Sequence, residues 1–284
     1  MNKTNILVLG GTGFIGKKLV AKLNSSQPQI NVLSWSSRDD VLAADFIASV
    51  VACNPEIIIV CSGKSFVPES WENPVSYYLI NSLGTIKVAE AARLCNAKIV
   101  FLSTFVYGEP YILPISEDNT INPFNPYASS KLLAEQALMH SAKLFNVECN
   151  VLRLFNVFGS DQSPHFLIPS LIDQVKKSEK IYVKSLNPKR DYIHVDDVVD
   201  AIIAATLKFN GFQAYNVASG VSYSVQEIIN VLFKLSEINL PIISENIERP
   251  NEVFDTRADI KKIKKELNWE PKIGLEDALK KMLK

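Results

Sequence analysis

At 284 residues the chain is long enough for about two domain-sized units, and its 47% hydrophobic content can fill a sizeable core, which excludes intrinsic disorder. Thirty basic side chains balance thirty acidic ones. That neutrality argues against nucleic acid as a partner, because a protein that grips a polyanionic backbone carries a net basic footprint. Cys53, Cys61, Cys95 and Cys149 lie far apart without a CxxC pair, and only three histidines are present, so neither a disulfide framework nor a metal site is expected.

The first apolar run, Ile6-Leu7-Val8-Leu9, is too short for a signal segment or a membrane span, and no other window approaches eighteen apolar residues. A soluble cytoplasmic protein is expected. Short β-rich runs at residues 6–9, 30–34, 56–61, 98–103 and 148–154 alternate with segments of helical period at 15–23, 46–52, 75–95 and 128–145. This alternation predicts an α/β fold, a doubly wound parallel sheet. Beyond Asn156 the rhythm loosens at Pro164, Pro169 and Pro188, although 195–208 still reads as a helix and 214–217 as a strand. The expected division is a dinucleotide-binding domain over 1–158, with returning segments near 190–220. A smaller mixed α/β region over 159–189 and 221–284 would face the substrate.

Directly after the first strand comes Gly10-Gly11-Thr12-Gly13-Phe14-Ile15-Gly16, followed by an amphipathic helix. Gly10 suits the tight turn, Gly13 the close approach of a pyrophosphate and Gly16 the helix-to-strand contact, while the first helical residues, Phe14 and Ile15, offer amides to the phosphates. The second strand ends as Ser34-Trp35-Ser36-Ser37-Arg38 with no carboxylate to repel a 2′-phosphate. Ser36, Ser37 and Arg38 therefore point to NADP(H), with NAD held by other groups as the alternative. Asp45 either meets an adenine edge or starts the next helix.

Tyr127 and Lys131 lie four apart at a helix entry signalled by Asn125 and Pro126. That spacing alone arises about once by chance in such a composition. Ser103 supplies context, since it closes the strand at 98–103, at the sheet edge where open α/β folds bind ligands.

With these residues the sequence resembles the extended short-chain dehydrogenase/reductase family, and within it the nucleotide-sugar epimerases, dehydratases and reductases. The resemblance rests on the glycine loop, Ser103-Thr104-Phe105-Val106-Tyr107-Gly108, Tyr127-Ala128-Ser129-Ser130-Lys131 and Arg153-Leu154-Phe155-Asn156-Val157-Phe158-Gly159. Arg190-Asp191-Tyr192-Ile193-His194-Val195-Asp196-Asp197, Tyr215-Asn216-Val217 and Leu267-Asn268-Trp269-Glu270-Pro271 extend it nearly end to end. It implies Tyr127 as the general acid or base, its phenol lowered by Lys131 and the nicotinamide, and Lys131 as holder of the nicotinamide ribose. Ser103 would bond the reacting sugar oxygen.

By the same resemblance Thr104, Asn156, Arg190 and Arg249 serve the substrate, with the two arginines and Asn156 on its diphosphate, and Lys64 and Asn81 lie by the cofactor. Phe166-Leu167-Ile168-Pro169 falls where the family sandwiches the base, or is simply core. Dehydratases carry an acidic pair where this chain has Thr104-Phe105, which leaves reduction or epimerisation. The expected function is an NADPH-dependent reductase of a nucleotide-linked 4-keto-6-deoxyhexose. An NAD-dependent nucleotide-sugar 4-epimerase is the alternative, and a non-catalytic cofactor sensor the remote one. Homodimerisation through 75–95 and 128–145 is implied by the family only. Asp196-Asp197 reads as the start of a helix rather than a metal site.

Overall fold

The structure, a computed structural model, describes residues 3–27, 29–36, 40–246 and 253–284. The chain forms two compact units: Met1–Tyr107, Ile121–Leu154 and Val199–Tyr215 make the first, and Gly108–Thr120, Phe155–Val198 and Asn216–Lys284 the second.

In chain order the first elements are β1 (Thr4–Leu9), α1 (Phe14–Ser26), β2 (Ile30–Trp35), α2 (Phe46–Cys53), β3 (Ile57–Val60), α3 (Val67–Glu72) and α4 (Pro74–Tyr77). A π-helical turn at Tyr78–Leu83 leads into α5 (Gly84–Cys95), β4 (Lys98–Thr104), α6 (Pro126–Phe145) and β5 (Cys149–Leu154). Then come β6 (Asn156–Phe158), α7 (Leu167–Lys177), β7 (Ile181–Val183), β8 (Lys189–His194), α8 (Val195–Leu207) and β9 (Phe212–Val217). The chain closes with β10 (Ser222–Ser224), α9 (Val225–Ser236), β11 (Ile242–Ser244), α10 (Lys261–Leu267) and α11 (Leu275–Leu283).

A six-stranded sheet in the order β2-β1-β3-β4-β5-β9 centres the first unit, with β1 to β5 paired in parallel. Its middle strands are buried along their length, Ile57–Val60 and Cys149–Leu154 entirely, as strands covered on both faces must be. Leu7, Ile58, Phe101 and Val151 pack with Val88, Ala91 and Leu138 from the covering helices. This is the doubly wound α/β fold that the alternating pattern predicts. Asparagines in the left-handed conformation, Asn54, Asn96 and Asn146, end α2, α5 and α6 where glycine is commoner.

The second unit holds a three-stranded sheet, β10-β8-β6, and a parallel pair, β11-β7. Its core gathers Ile168, Leu171 and Val175 of α7, Ile228, Ile229 and Leu232 of α9, and Ala278 and Leu279 of α11.

Two sequence expectations change. The helix expected over 75–95 forms without interruption, but it passes through a π turn in which Asn81 is buried, and the Asn81 carbonyl accepts from the Thr85 hydroxyl at 2.6 Å. The apolar period survives such an insertion, so periodicity does not reveal it. Asp197 is more than a helix-start charge, because its buried carboxylate accepts the amides of Lys272 and Ile273, each at 3.0 Å, and ties the tail to α8 within the second unit. Among the described residues no helix is long and apolar enough to cross a membrane.

Candidate active site

The glycine loop is shaped as its spacing requires. Gly10 has φ +81°, and a Cβ there would lie 2.6 Å from the Ser62 amide nitrogen, so no other residue fits. At Gly16 a Cβ would meet the Gly10 carbonyl oxygen at 2.1 Å, and α1 could not approach the turn. Gly13 is the exposed residue preceding α1, no side chain caps that helix, and Phe14 and Ile15 form its first turn. The uncapped amides of the first turn suit a phosphate oxygen.

At the end of β2, Ser36 is exposed, with its carbonyl 3.5 Å from the Thr12 hydroxyl. Ser37 and Arg38 lie outside the described residues. Asp45 is exposed just before α2, and its side chain makes no capping bond.

The chemistry-bearing side chains meet where α6 stands on β4. The Asn125 side chain caps α6 by accepting the Ala128 amide at 2.8 Å, and Pro126 opens the first turn, which fixes where the helix begins. Tyr127, Lys131 and Glu135 then recur every four residues on one face. Tyr127 is hydrogen-bonded by the Thr104 hydroxyl. Lys131 donates from Nζ to the Leu102 carbonyl at 2.8 Å and sits 4.6 Å from the centre of the Phe101 ring. Glu135 accepts the Ser103 hydroxyl. Thus Thr104, not Ser103, is the hydroxyl beside the phenol.

Burial pushes the Tyr127 phenol above its ordinary value, and the Thr104 bond opposes that. The resemblance implies a phenol lowered by Lys131 and the nicotinamide together; here the Lys131 ammonium is directed to the Leu102 carbonyl, and burial and the Thr104 bond are what act on the phenol. Tyr77 packs edge-on against Tyr127 with ring centres 6.3 Å apart.

Glu135 and Arg153 were not among the expected site residues. Arg153 donates to Glu135 from Nε at 3.1 Å and Nη2 at 2.8 Å, and from Nη1 to the Tyr107 hydroxyl at 3.0 Å. Burial alone would lower the guanidinium, but Glu135 and Tyr107 outweigh it and hold it above its ordinary value. The signal for Glu135 was present in the sequence as the next four-residue step after Lys131.

Lys64 and Asn81 are joined through the Lys64 backbone: Asn81 Oδ1 accepts the Lys64 amide at 2.9 Å, and Nδ2 donates to the Lys64 carbonyl at 3.0 Å and to Ser130 Oγ at 2.9 Å. The Lys64 ammonium pairs with Glu69 at 2.6 Å. A Cβ on Gly63 would lie 2.7 Å from Asn81 Oδ1 and 3.3 Å from Lys131 Nζ, so glycine keeps the space beside that ammonium open. Open space beside a buried ammonium, together with the uncapped α1 turn, fits a nicotinamide dinucleotide.

In the second unit, Asn156 on β6 donates to the Asp191 carbonyl at 3.4 Å. Arg190 on β8 donates from Nη1 to the carbonyls of Lys189 at 2.8 Å and Val253 at 2.6 Å. Arg249 lies outside the described residues. Within 166–169, Ile168 is buried in the second core.

Lys131 has a consequence for stability. Burial pulls its ammonium down to about 8, with Cys61 and Glu135 opposing. Between that value and the ordinary 10.5 the folded chain holds fewer protons than the unfolded one. The penalty is therefore complete below pH 8 and gone above 10.5. Lys131→Met is expected to raise the unfolding free energy near neutral pH by up to about 3 kcal/mol, and the gain should shrink as pH climbs through 8. Urea unfolding at neutral pH and at about pH 10 checks it; a loss of stability at both pH values would contradict the burial cost.

The model of the family described as "NAD dependent epimerase/dehydratase family" matches residues 6–218. A UDP-glucose 4-epimerase of Bacillus subtilis is 35% identical, over 96% of this chain and 94% of its own. A GDP-6-deoxy-D-mannose reductase of Pseudomonas aeruginosa is 28% identical, over 98% and 95%. Among solved structures, that of RMD from Pseudomonas aeruginosa complexed with NADPH superposes with a TM-score of 0.91 at 28% identity, covering 99% of this chain and 98% of that one. The matched span includes the glycine loop, Ser103-Thr104, Tyr127 and Lys131, and the chain therefore belongs to the NAD dependent epimerase/dehydratase family.

Proposed function

We propose that the chain is an NADPH-dependent reductase that converts the C4 ketone of a nucleotide-linked 4-keto-6-deoxyhexose to a hydroxyl, giving a deoxysugar donor. The observation that carries this reading is the placement of the Tyr127 phenol, bonded by the Thr104 hydroxyl at the end of β4 and one helical turn from Lys131 on α6. A phenol is protonated at neutral pH and can give its proton to the oxygen of a ketone as it is reduced. When bound, the nicotinamide supplies the hydride. Tyr127 delivers its proton to the sugar oxygen, and the Thr104 hydroxyl stabilises the phenolate left behind by donating to it. Lys131, bonded to the Leu102 carbonyl, is placed by α6 to hold the nicotinamide ribose, as the resemblance assigns. Asn156, Arg190 and Arg249 take the diphosphate in the same reading. Thr104 replaces Ser103 as the triad hydroxyl because it is the one bonded to the phenol.

Three further points support reduction with NADPH. Thr104-Phe105 offers no carboxylate pair for dehydration, and Ser36-Ser37-Arg38 offers hydroxyls and a guanidinium, without a carboxylate, to a 2′-phosphate. The structural relative with TM-score 0.91 is complexed with NADPH. A second reading, a 4-epimerase with retained NAD, is favoured by the 35% identity to a UDP-glucose 4-epimerase. Relatives named for UDP and for GDP sugars both match, so no base is assigned.

A homodimer also follows from this reading. Val75, Leu79, Leu83 and Ile86, running from α4 through the π turn into α5, are exposed in one stripe, and Leu133 and Leu144 are exposed on α6. Such a stripe is typical of a covered face.

Purified protein, mixed with NADPH and a panel of UDP-, GDP- and dTDP-4-keto-6-deoxyhexoses, should oxidise cofactor in step with ketone loss. Conversion of UDP-glucose to its C4 epimer without net oxidation would establish the second reading, and no chemistry on any sugar would leave a cofactor-binding protein. Tyr127→Phe should lower turnover by about 10²–10⁴-fold while cofactor still binds; unchanged turnover would remove the assigned acid. Arg38→Ala should weaken NADPH more than NADH in a binding titration, whereas equal weakening would remove the cofactor assignment. Sedimentation velocity should give twice the 31.6 kDa chain mass, and a particle of the chain mass would refute the dimer.

A further inference from the structure

Resting on the reading above, we propose that Glu135 is a positioning residue, which grips Ser103 and so fixes the end of β4 that carries the partners of Tyr127 and Lys131. Three successive β4 residues meet three α6 residues spaced by four: Thr104 bonds Tyr127, Leu102 accepts from Lys131, and Ser103 donates to Glu135. Ser103 lies between the other two contacts. A shift of the strand at Ser103 therefore moves the Thr104 hydroxyl and the Leu102 carbonyl together.

The grip is rigid. Glu135 and Ser103 are each only 2% exposed. Arg153 is the residue paired with Ser103 in the parallel β4–β5 register, and it holds the carboxylate through Nε and Nη2. The Tyr107 hydroxyl occupies Nη1 of the same guanidinium. Glu135 is thus pinned from β5 while it reaches β4 from α6.

The grip also decides what Ser103 can do. A serine has one hydroxyl proton, a carboxylate only accepts, and that proton is committed to Glu135. Ser103 keeps lone pairs but has no second proton to give a sugar oxygen. Its contribution to the site passes through Thr104.

The test uses Ser103→Ala, which leaves the Glu135–Arg153–Tyr107 cluster intact, and Ser103→Thr, which restores the hydroxyl. Among the described residues, Thr104 from β4 and the Tyr77 ring from α4 face the phenol. Tyr127 ionisation is read by ultraviolet absorbance after a rapid pH jump, as the difference between each protein and its Tyr127→Phe counterpart. Ser103→Ala is expected to move that ionisation to higher pH, because the phenol loses the Thr104 bond, and Ser103→Thr to return it to the wild-type position. On a substrate found by the panel, Ser103→Ala should lower kcat roughly tenfold with KM within about twofold. Glu135→Gln should have a smaller effect on kcat in the Ser103→Ala background than alone.

A wild-type ionisation in Ser103→Ala overturns the proposal, as does a Ser103→Thr shift equal to that of Ser103→Ala. An undiminished Glu135→Gln effect in the Ser103→Ala background also overturns it. Should Glu135→Gln fail to fold, the two Ser103 variants decide alone. The phenol titration needs no substrate, so a protein without reductase activity still answers this question, and the two failures remain separate.

Discussion

The site depends on one constraint: a helix carrying a tyrosine, a lysine and a glutamate at four-residue steps stands against the end of a buried parallel strand. Burying a lysine and a glutamate is costly unless each finds partners. Here the ammonium takes a strand carbonyl and the carboxylate takes a serine hydroxyl and a guanidinium. Because breaking the buried Glu135–Arg153 pair by removing one partner costs about 3–5 kcal/mol, α6 is held to β5, and the bonds of Lys131 to Leu102 and of Ser103 to Glu135 hold it to β4. Placement of the phenol follows from that.

The same constraint separates stability from activity within the site. Lys131 is held charged in a place that lowers its affinity for the proton, and its charge is opposed rather than favoured by burial. The glycine loop works by the opposite device, since it removes side chains where the backbone must turn or approach. Gly63 joins the two, because the side chain it lacks would crowd both Asn81 and Lys131. Neighbouring residues thus supply charge, and glycines supply room for what that charge holds.

Much of this was legible in the sequence. The alternation of apolar runs specified the doubly wound sheet, and Asn125-Pro126 marked the start of α6, which set the phase of Tyr127 and Lys131. The glycine spacing matched the turn it forms. The choice between Ser103 and Thr104 was not legible: both hydroxyls reach α6, and a sequence alone does not say which of them meets Tyr127 and which meets Glu135. The π turn at Tyr78–Leu83 was hidden because one inserted residue leaves the apolar rhythm intact. Asp197 was read from its position at a helix start, whereas its partners, Lys272 and Ile273, lie more than seventy residues away along the chain. Long-range polar contacts of this kind carry no periodic signal.

The central claim is that Thr104 and Tyr127 act as one hydrogen-bonded unit in proton delivery. A double-mutant cycle on single-turnover hydride transfer, with Thr104→Val, Tyr127→Phe and both together, tests it most directly. If the two act as a unit, the double variant is no slower than the slower single variant. If the two losses instead multiply, Thr104 acts independently of the phenol and the account of the site is wrong.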